Sequence, residues 1–125
     1  MKLTLAYWIL IASFFLPVIC AGIAKAGRRD YDNASPREWE GRLDGYRARA
    51  VAAMNNTYEA LPFFAASVIV AHQLQAPQDR LDLLACIWLA LRLVYVGTYV
   101  GNLAALRSLV WMASVAVIIW IFLLA

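Results

Sequence analysis

Long apolar runs alternate with short polar breaks along this chain, and four of the runs are long enough to cross a bilayer. They cover Leu3 to Ile23, Ala50 to His72, Leu81 to Val100 and Leu103 to Ala125. A crossing helix needs about 20 residues at a rise of about 1.5 Å each. The breaks carry helix punctuation. Gly27 and Asn33-Ala34-Ser35-Pro36 interrupt the chain after the first run. Ser35, Pro36 and Glu38 then mark a helix start: a capping hydroxyl, a proline at the first position and an acid in the first turn. That helix is expected to begin before the bilayer and enter it near Ala50, with Pro62 bending it inside the span. Gln75-Ala76-Pro77-Gln78-Asp79 turns the chain before the third run, and Gly101-Asn102 makes a tight junction before the last.

Composition agrees with the pattern. Of 125 residues 64% are hydrophobic and 15% charged, whereas a soluble domain carries about 25% charged residues. The mean hydropathy of +0.67 has the same meaning. The expected fold is all-α, an integral membrane four-helix bundle in which residues 1–125 form a single domain with the lipid bilayer as its main surroundings. Met1-Lys2, an apolar run and Ala24-Lys25-Ala26 together resemble a cleavable signal peptide. The run exceeds a usual signal core and three more follow, so it reads as a retained span. Ile19 before Cys20 does not suit a lipoprotein cleavage site. Cys20 and Cys86 lie in different spans and read as small apolar residues.

The basic residues orient the molecule. Lys25, Arg28, Arg29, Arg37, Arg42, Arg47 and Arg49 lie between runs one and two, and Arg107 lies at the junction of runs three and four. The other side offers Lys2 and Arg80. The positive-inside rule counts Lys and Arg rather than net charge, so loops one and three are expected in the cytoplasm and both termini outside. In a bacterium this is an inner-membrane protein. The net charge of +3 falls on one membrane face, where it suits anionic lipid.

Two charges lie inside apolar stretches: Glu59, in Asn55-Asn56-Thr57-Tyr58-Glu59-Ala60-Leu61-Pro62, and Arg92, in Leu89-Ala90-Leu91-Arg92-Leu93-Val94. Ionisable groups at membrane depth cost several kcal/mol unless paired or hydrated, and so mark functional sites. The plainer alternative is an ion pair between them that only locks two helices. Helical spacing gathers polar neighbours around each. Arg49, Asn56 and Glu59 share one face; Arg92, Tyr95, Tyr99 and Asn102 form a stripe on the next helix; Arg107 and Ser108 open the last helix at the same level. Together they predict a polar pocket at the cytoplasmic half of the membrane. Tyrosines near a helix end also suit an interfacial aromatic belt, but a stripe continuous with a buried Arg goes beyond one. Gly97 and Gly101 form a small-residue step of the kind that permits close helix contact, the alternative being that Gly101 merely ends the helix.

Other chemistry lacks its residues. His72 is the only histidine and sits far from the charged cluster, where it reads as an interfacial or core residue. With no second His, no paired acids on one face and no Cys pair, metal and triad chemistry are not expected. Nothing resembles a glycine-rich phosphate loop, and outside the first loop no basic–aromatic surface of the kind nucleic acids require appears.

The residues carry a family resemblance. Arg47-Ala48-Arg49-Ala50 through Asn56-Thr57-Tyr58-Glu59-Ala60-Leu61-Pro62-Phe63, Arg92-Leu93-Val94-Tyr95 through Tyr99, and Arg107-Ser108 resemble the MAPEG family, the membrane-associated proteins in eicosanoid and glutathione metabolism, in a small bacterial-type form. The loop Tyr31-Asp32-Asn33-Ala34-Ser35-Pro36-Arg37 fits too, and the likeness spans the chain. It implies a homotrimer of four-helix subunits with glutathione between neighbouring subunits on the cytoplasmic side. By position, Asn56, Glu59, Arg92, Tyr95 and Tyr99 match glutathione contacts, with Ser108 and Arg49 beside them. Arg107 resembles the arginine that holds the glutathione thiolate, and is the catalytic candidate. One departure stands out: Ala52 occupies the position, four residues before the motif Asn, where the family's enzymes usually carry an Arg. Losing a charge-assisted contact of that kind weakens glutathione binding, and Arg49, Arg28 and Arg29 are the candidates to replace it. Two functions follow. One is a glutathione-dependent transferase or peroxidase acting on lipophilic electrophiles. The other is a non-catalytic protein of the same fold that binds lipids or a protein partner.

Overall fold

The first apolar run is broken in its middle. In the computed structural model, which describes residues 2–124, α1 (Leu5–Ser13) and α2 (Leu16–Lys25) are separated by a turn at Phe14 and Phe15. Pro17 explains the break. It has no N–H, and in a continuous helix its ring would meet the carbonyl of Ser13. The chain tightens instead: the N–H groups of Phe14 and Phe15 donate to Ile11 O and Ala12 O at 3.2 and 3.0 Å. The Ser13 hydroxyl donates to Leu10 O at 2.6 Å.

After a loop come the short α3 (Pro36–Glu40), the long α4 (Gly45–Gln73), α5 (Gln78–Val100) and α6 (Ala104–Leu123). The helix start expected at Ser35 is there, but it yields only α3. Gly41 ends it, and a new helix begins at Gly45, whose φ of +58° is left-handed and suits glycine. α4 runs through Pro62 as one helix. Three stretches are long and apolar enough to cross a membrane: Leu5–Lys25, Gln78–Val100 and Ala104–Leu123. α4 is longer than any of them, yet Asn55, Asn56, Glu59 and His72 keep it below that level.

Both tight helix connections end in the same way. At the end of α4 the N–H of Ala76 donates to Ala71 O and that of Gln75 to His72 O, with Gln75 at φ +56°. At the end of α5 the N–H of Leu103 donates to Thr98 O and that of Asn102 to Tyr99 O, with Asn102 at φ +60°. These are Schellman closures, in which a left-handed residue lets the chain reverse while satisfying two orphan carbonyls. Asn tolerates that conformation through its short polar side chain; Gln has no such excuse. Gly101 precedes the turn, where an added Cβ would lie 3.1 Å from Gly97 O, whereas a Cβ on Gly97 would meet nothing. Within one chain, therefore, the Gly97–Gly101 step serves the helix end rather than a helix contact.

Packing is most extensive between α5 and α6 and between α2 and α4. The larger core cluster centres on Phe64 and Trp88, fully buried rings stacked at 3.9 Å and 6°. The smaller one, toward loop one, joins Cys20, Ala53, Met54, Tyr95, Val96 and Val110. At the far end His72 is a packing residue: its ring stacks on Tyr7 at 3.9 Å, and its Nδ1 lies 2.7 Å from Val68 O. A carbonyl only accepts, so Nδ1 carries the proton, and a neutral ring leaves Nε2 to accept from the Thr4 hydroxyl 2.7 Å away. Asp82 accepts from the Ala6 N–H at 2.9 Å and so closes the start of α1. In loop one Trp39 is buried against the edge-on ring of Tyr31, and Lys25 Nζ lies 4.0 Å above Tyr31. Arg28 grips Asp30 through two bonds of 2.9 and 2.7 Å, which hold the Asp30 carboxyl down at about 2.

The left-handed Gln75 generates a stability prediction. Gln75→Gly is expected to stabilise by about 0.5–1 kcal/mol, because glycine adopts that backbone without steric cost. Gln75→Val is expected to destabilise by about 1–2 kcal/mol. Thermal unfolding of both variants in detergent checks the pair, and equal midpoints would refute the assignment of strain.

Candidate functional site

The charged cluster forms where α4, α5 and α6 meet, and its centre is Arg92. This guanidinium has no exposed surface. It sits on α5 between Trp88 of one core cluster and Tyr95 of the other. Its Nη2 donates to Asn56 Oδ1 at 2.8 Å and to Thr57 Oγ1 at 3.0 Å, both on α4. Its Cζ lies 4.1 Å from the centroid of the Tyr95 ring. Nε and Nη1 have no hydrogen-bond partner among the described residues. A desolvated cation is thus held by two neutral oxygens and one π face.

The plainer alternative, an ion pair with Glu59, is absent: among the described residues the salt bridge is Arg28–Asp30. Helix geometry gives the reason. Asn56 and Thr57 face α5, while Glu59 points away from it on the exposed side of α4. Burying a carboxylate beside Arg92 would add a second desolvation penalty, whereas amide and hydroxyl oxygens accept the same bonds at lower cost.

From Arg92 a ladder of stacked groups leads outward. Tyr95 meets Tyr99 edge-on at 5.7 Å and 85°, and Arg107 Cζ lies 4.4 Å over the Tyr99 ring. The i, i+3, i+7 spacing on α5 puts Arg92, Tyr95 and Tyr99 on one face, and the turn at Asn102 returns Arg107 against it. The ladder borders an open cavity of about 420 Å³, lined by Asn56, Tyr95, Tyr99, Arg107 and Ser108 together with Trp111 and Met112. A neighbouring groove of about 410 Å³ shares Asn56 and Trp111 with it. Glu59 stands at that groove, and Phe63, Val115, Ile118, Ile119 and Phe122 make the rest of it apolar.

Most of the residues expected from sequence therefore come together: Asn56, Tyr95, Tyr99, Arg107 and Ser108 at the cavity, Arg92 directly behind it, and Glu59 one turn along in the groove. Arg49 is placed elsewhere. Its Nε donates to Val100 O at 3.0 Å, satisfying a terminal carbonyl of α5. Arg47 does the same for α2, donating to Ala24 O at 2.9 Å. Three neighbours were missed. Thr57 carried a signal in its adjacency to Asn56, and Trp111 and Met112 carried one in their positions, four residues after Arg107 and Ser108.

The geometry makes the buried Arg92 and the exposed Glu59 energetically independent. Arg92→Gln is expected to destabilise by about 3 kcal/mol or more, since it leaves Asn56 and Thr57 without their donor. Glu59→Gln is expected to lie within about 0.5 kcal/mol of wild type. A double-mutant cycle in thermal unfolding checks additivity, and a coupling above about 0.5 kcal/mol would refute it.

An all-helical chain with apolar spans and a buried arginine–tyrosine ladder at one end also has a relative among family models. The MAPEG family model matches residues 5–125, essentially the whole chain. No curated protein and no solved structure matches it. The resemblance carried by the Asn56–Pro62, Arg92–Tyr99 and Arg107–Ser108 elements thus extends over the entire length, and the protein is an integral membrane member of the MAPEG family.

Proposed function

We propose that this protein is a membrane-embedded glutathione-dependent transferase or peroxidase that acts on lipophilic electrophiles. The observation that carries the reading is Arg107: its face is held on Tyr99, and it has no carboxylate partner among the described residues. A cation fixed at the rim of a cavity and free of any anion is available to one. Bound glutathione supplies a nucleophilic sulfur. Arg107 stabilises that sulfur as thiolate, lowering a thiol pKa that is otherwise about 8.5. Asn56, Ser108 and the tyrosine hydroxyls offer donors to the rest of the ligand. The adjoining apolar groove past Phe63 and Phe122 accepts a lipophilic second substrate from the bilayer.

The same reading includes a homotrimer of four-helix subunits. α4 leaves Asn55, Tyr58, Glu59, Pro62, Phe63, Ala66 and Ile69 exposed along one side. Polar groups of that stripe are costly against lipid, and a neighbouring copy would cover them. Loops one and three face the cytoplasm, with the termini outside. A second reading, a non-catalytic lipid- or partner-binding member, is favoured by Ala52, which removes a customary arginine, and by Arg49, which is engaged at Val100.

Two measurements follow. Calorimetry in detergent should detect glutathione binding, and the near-ultraviolet absorbance of the thiolate gives its pKa. Arg107→Ala is expected to raise that pKa by about 1–2 units and to reduce conjugation of a hydrophobic electrophile at neutral pH by a similar factor in log terms. An unchanged pKa and turnover, or wild-type protein that binds no glutathione, would move the assignment to the non-catalytic reading. For topology, Asp32→Cys should resist membrane-impermeant labelling of intact cells while Gln78→Cys reacts; the reverse pattern would invert the orientation.

A further inference from the structure

A guanidinium carries five N–H donors and no acceptor. The Asn56 side chain, 2.8 Å from Arg92 Nη2, must therefore turn its oxygen to α5. Its amide nitrogen then lies on the opposite edge of the planar group. Flipping the amide would set donor against donor and forfeit a charge-assisted bond. Asn56 is half-buried and borders the cavity, while its nitrogen donates to no protein acceptor among the described residues. Thr57 is fixed in the same way: its oxygen accepts from Arg92 at 3.0 Å, and its own hydrogen goes to Ala53 O at 2.8 Å. Tyr95, stacked on the guanidinium at 4.1 Å, is the third group that Arg92 sets in place.

We propose that Arg92 is a positioning residue: it does not reach a ligand, but locks Asn56 with its N–H edge toward the cavity, so that the cavity selects an acceptor there. That acceptor is a carboxylate or carbonyl oxygen. The other polar groups at this cavity agree, since Arg107 donates only and Ser108, Tyr95 and Tyr99 carry hydroxyls, while the nearest carboxylate, Glu59, lines the adjoining groove. The proposal rests on the functional reading above only in taking glutathione as the probe.

Asn56→Asp separates presentation from support. The carboxylate still accepts from Arg92, but the cavity-facing edge becomes an oxygen. The expected result is an unfolding midpoint at or above wild type, with glutathione Kd raised roughly tenfold or more. Unchanged affinity would overturn the proposal. Side-chain amide relaxation by NMR gives a readout that needs no ligand. Asn55, exposed and next in sequence, is the internal control: the Asn56 amide should be as rigid as backbone and the Asn55 amide mobile. Equal mobility of the two would overturn the proposal. Arg92→Lys keeps the charge but not the planar fork, and should loosen the Asn56 amide and weaken glutathione severalfold; no change in either would also overturn it. If Arg92→Lys does not fold, Asn56→Asp and the Asn55 comparison decide. If wild-type protein binds no glutathione, the functional reading falls, and the two amide relaxation results alone settle the positioning role.

Discussion

A permanent cation without exposed surface must be satisfied by whatever surrounds it, and in this protein that requirement ties α4 to α5. Arg92 cannot neutralise itself, and at the centre of a membrane its charge costs about 2.5–3.5 kcal/mol on insertion scales. The structure meets the cost with an amide oxygen, a hydroxyl oxygen and the face of Tyr95. Because two of those acceptors are consecutive residues of α4, the rotation of α4 against α5 is fixed at this level. The guanidinium also lies at the seam between the two hydrophobic clusters, so displacing either helix would expose it to apolar side chains on both sides.

The arginines of the chain divide into physically distinct classes. Arg47 and Arg49 spend their donors on helix-terminal carbonyls at Ala24 and Val100, where a cation complements the helix dipole. Arg28 is paired at the surface with Asp30. Arg92 is buried and structural in its contacts, yet directional in its effect on Asn56. Arg107 borders the cavity with its face on Tyr99 and no acid partner among the described residues. The ladder from Arg92 through Tyr95 and Tyr99 to Arg107 thus joins the buried cation of the interior to one that is available at the cavity rim.

Much of this was readable in the residues. Hydrophobic run length gave the all-helical membrane character, because backbone polar groups in lipid must be satisfied within the segment. The periodicity of Arg92, Tyr95 and Tyr99 gave the stripe, because 3.6 residues per turn is a property of the helix itself. The family elements gave the candidate residues around Asn56 and Arg107. What sequence did not fix was decided by contacts between elements. Pro17 broke the first run because the chain had a tight alternative at Phe14 and Phe15, while Pro62 left α4 continuous. Arg49 shares a face with Asn56 by spacing, yet the end of α5 lies within its reach and takes it. Glu59 and Arg92 are opposite charges in adjacent spans, but only tertiary rotation determines that Asn56 and Thr57, rather than Glu59, face the guanidinium. Local rules set which residues share a helix face; the packing of one face against another sets which of them meet.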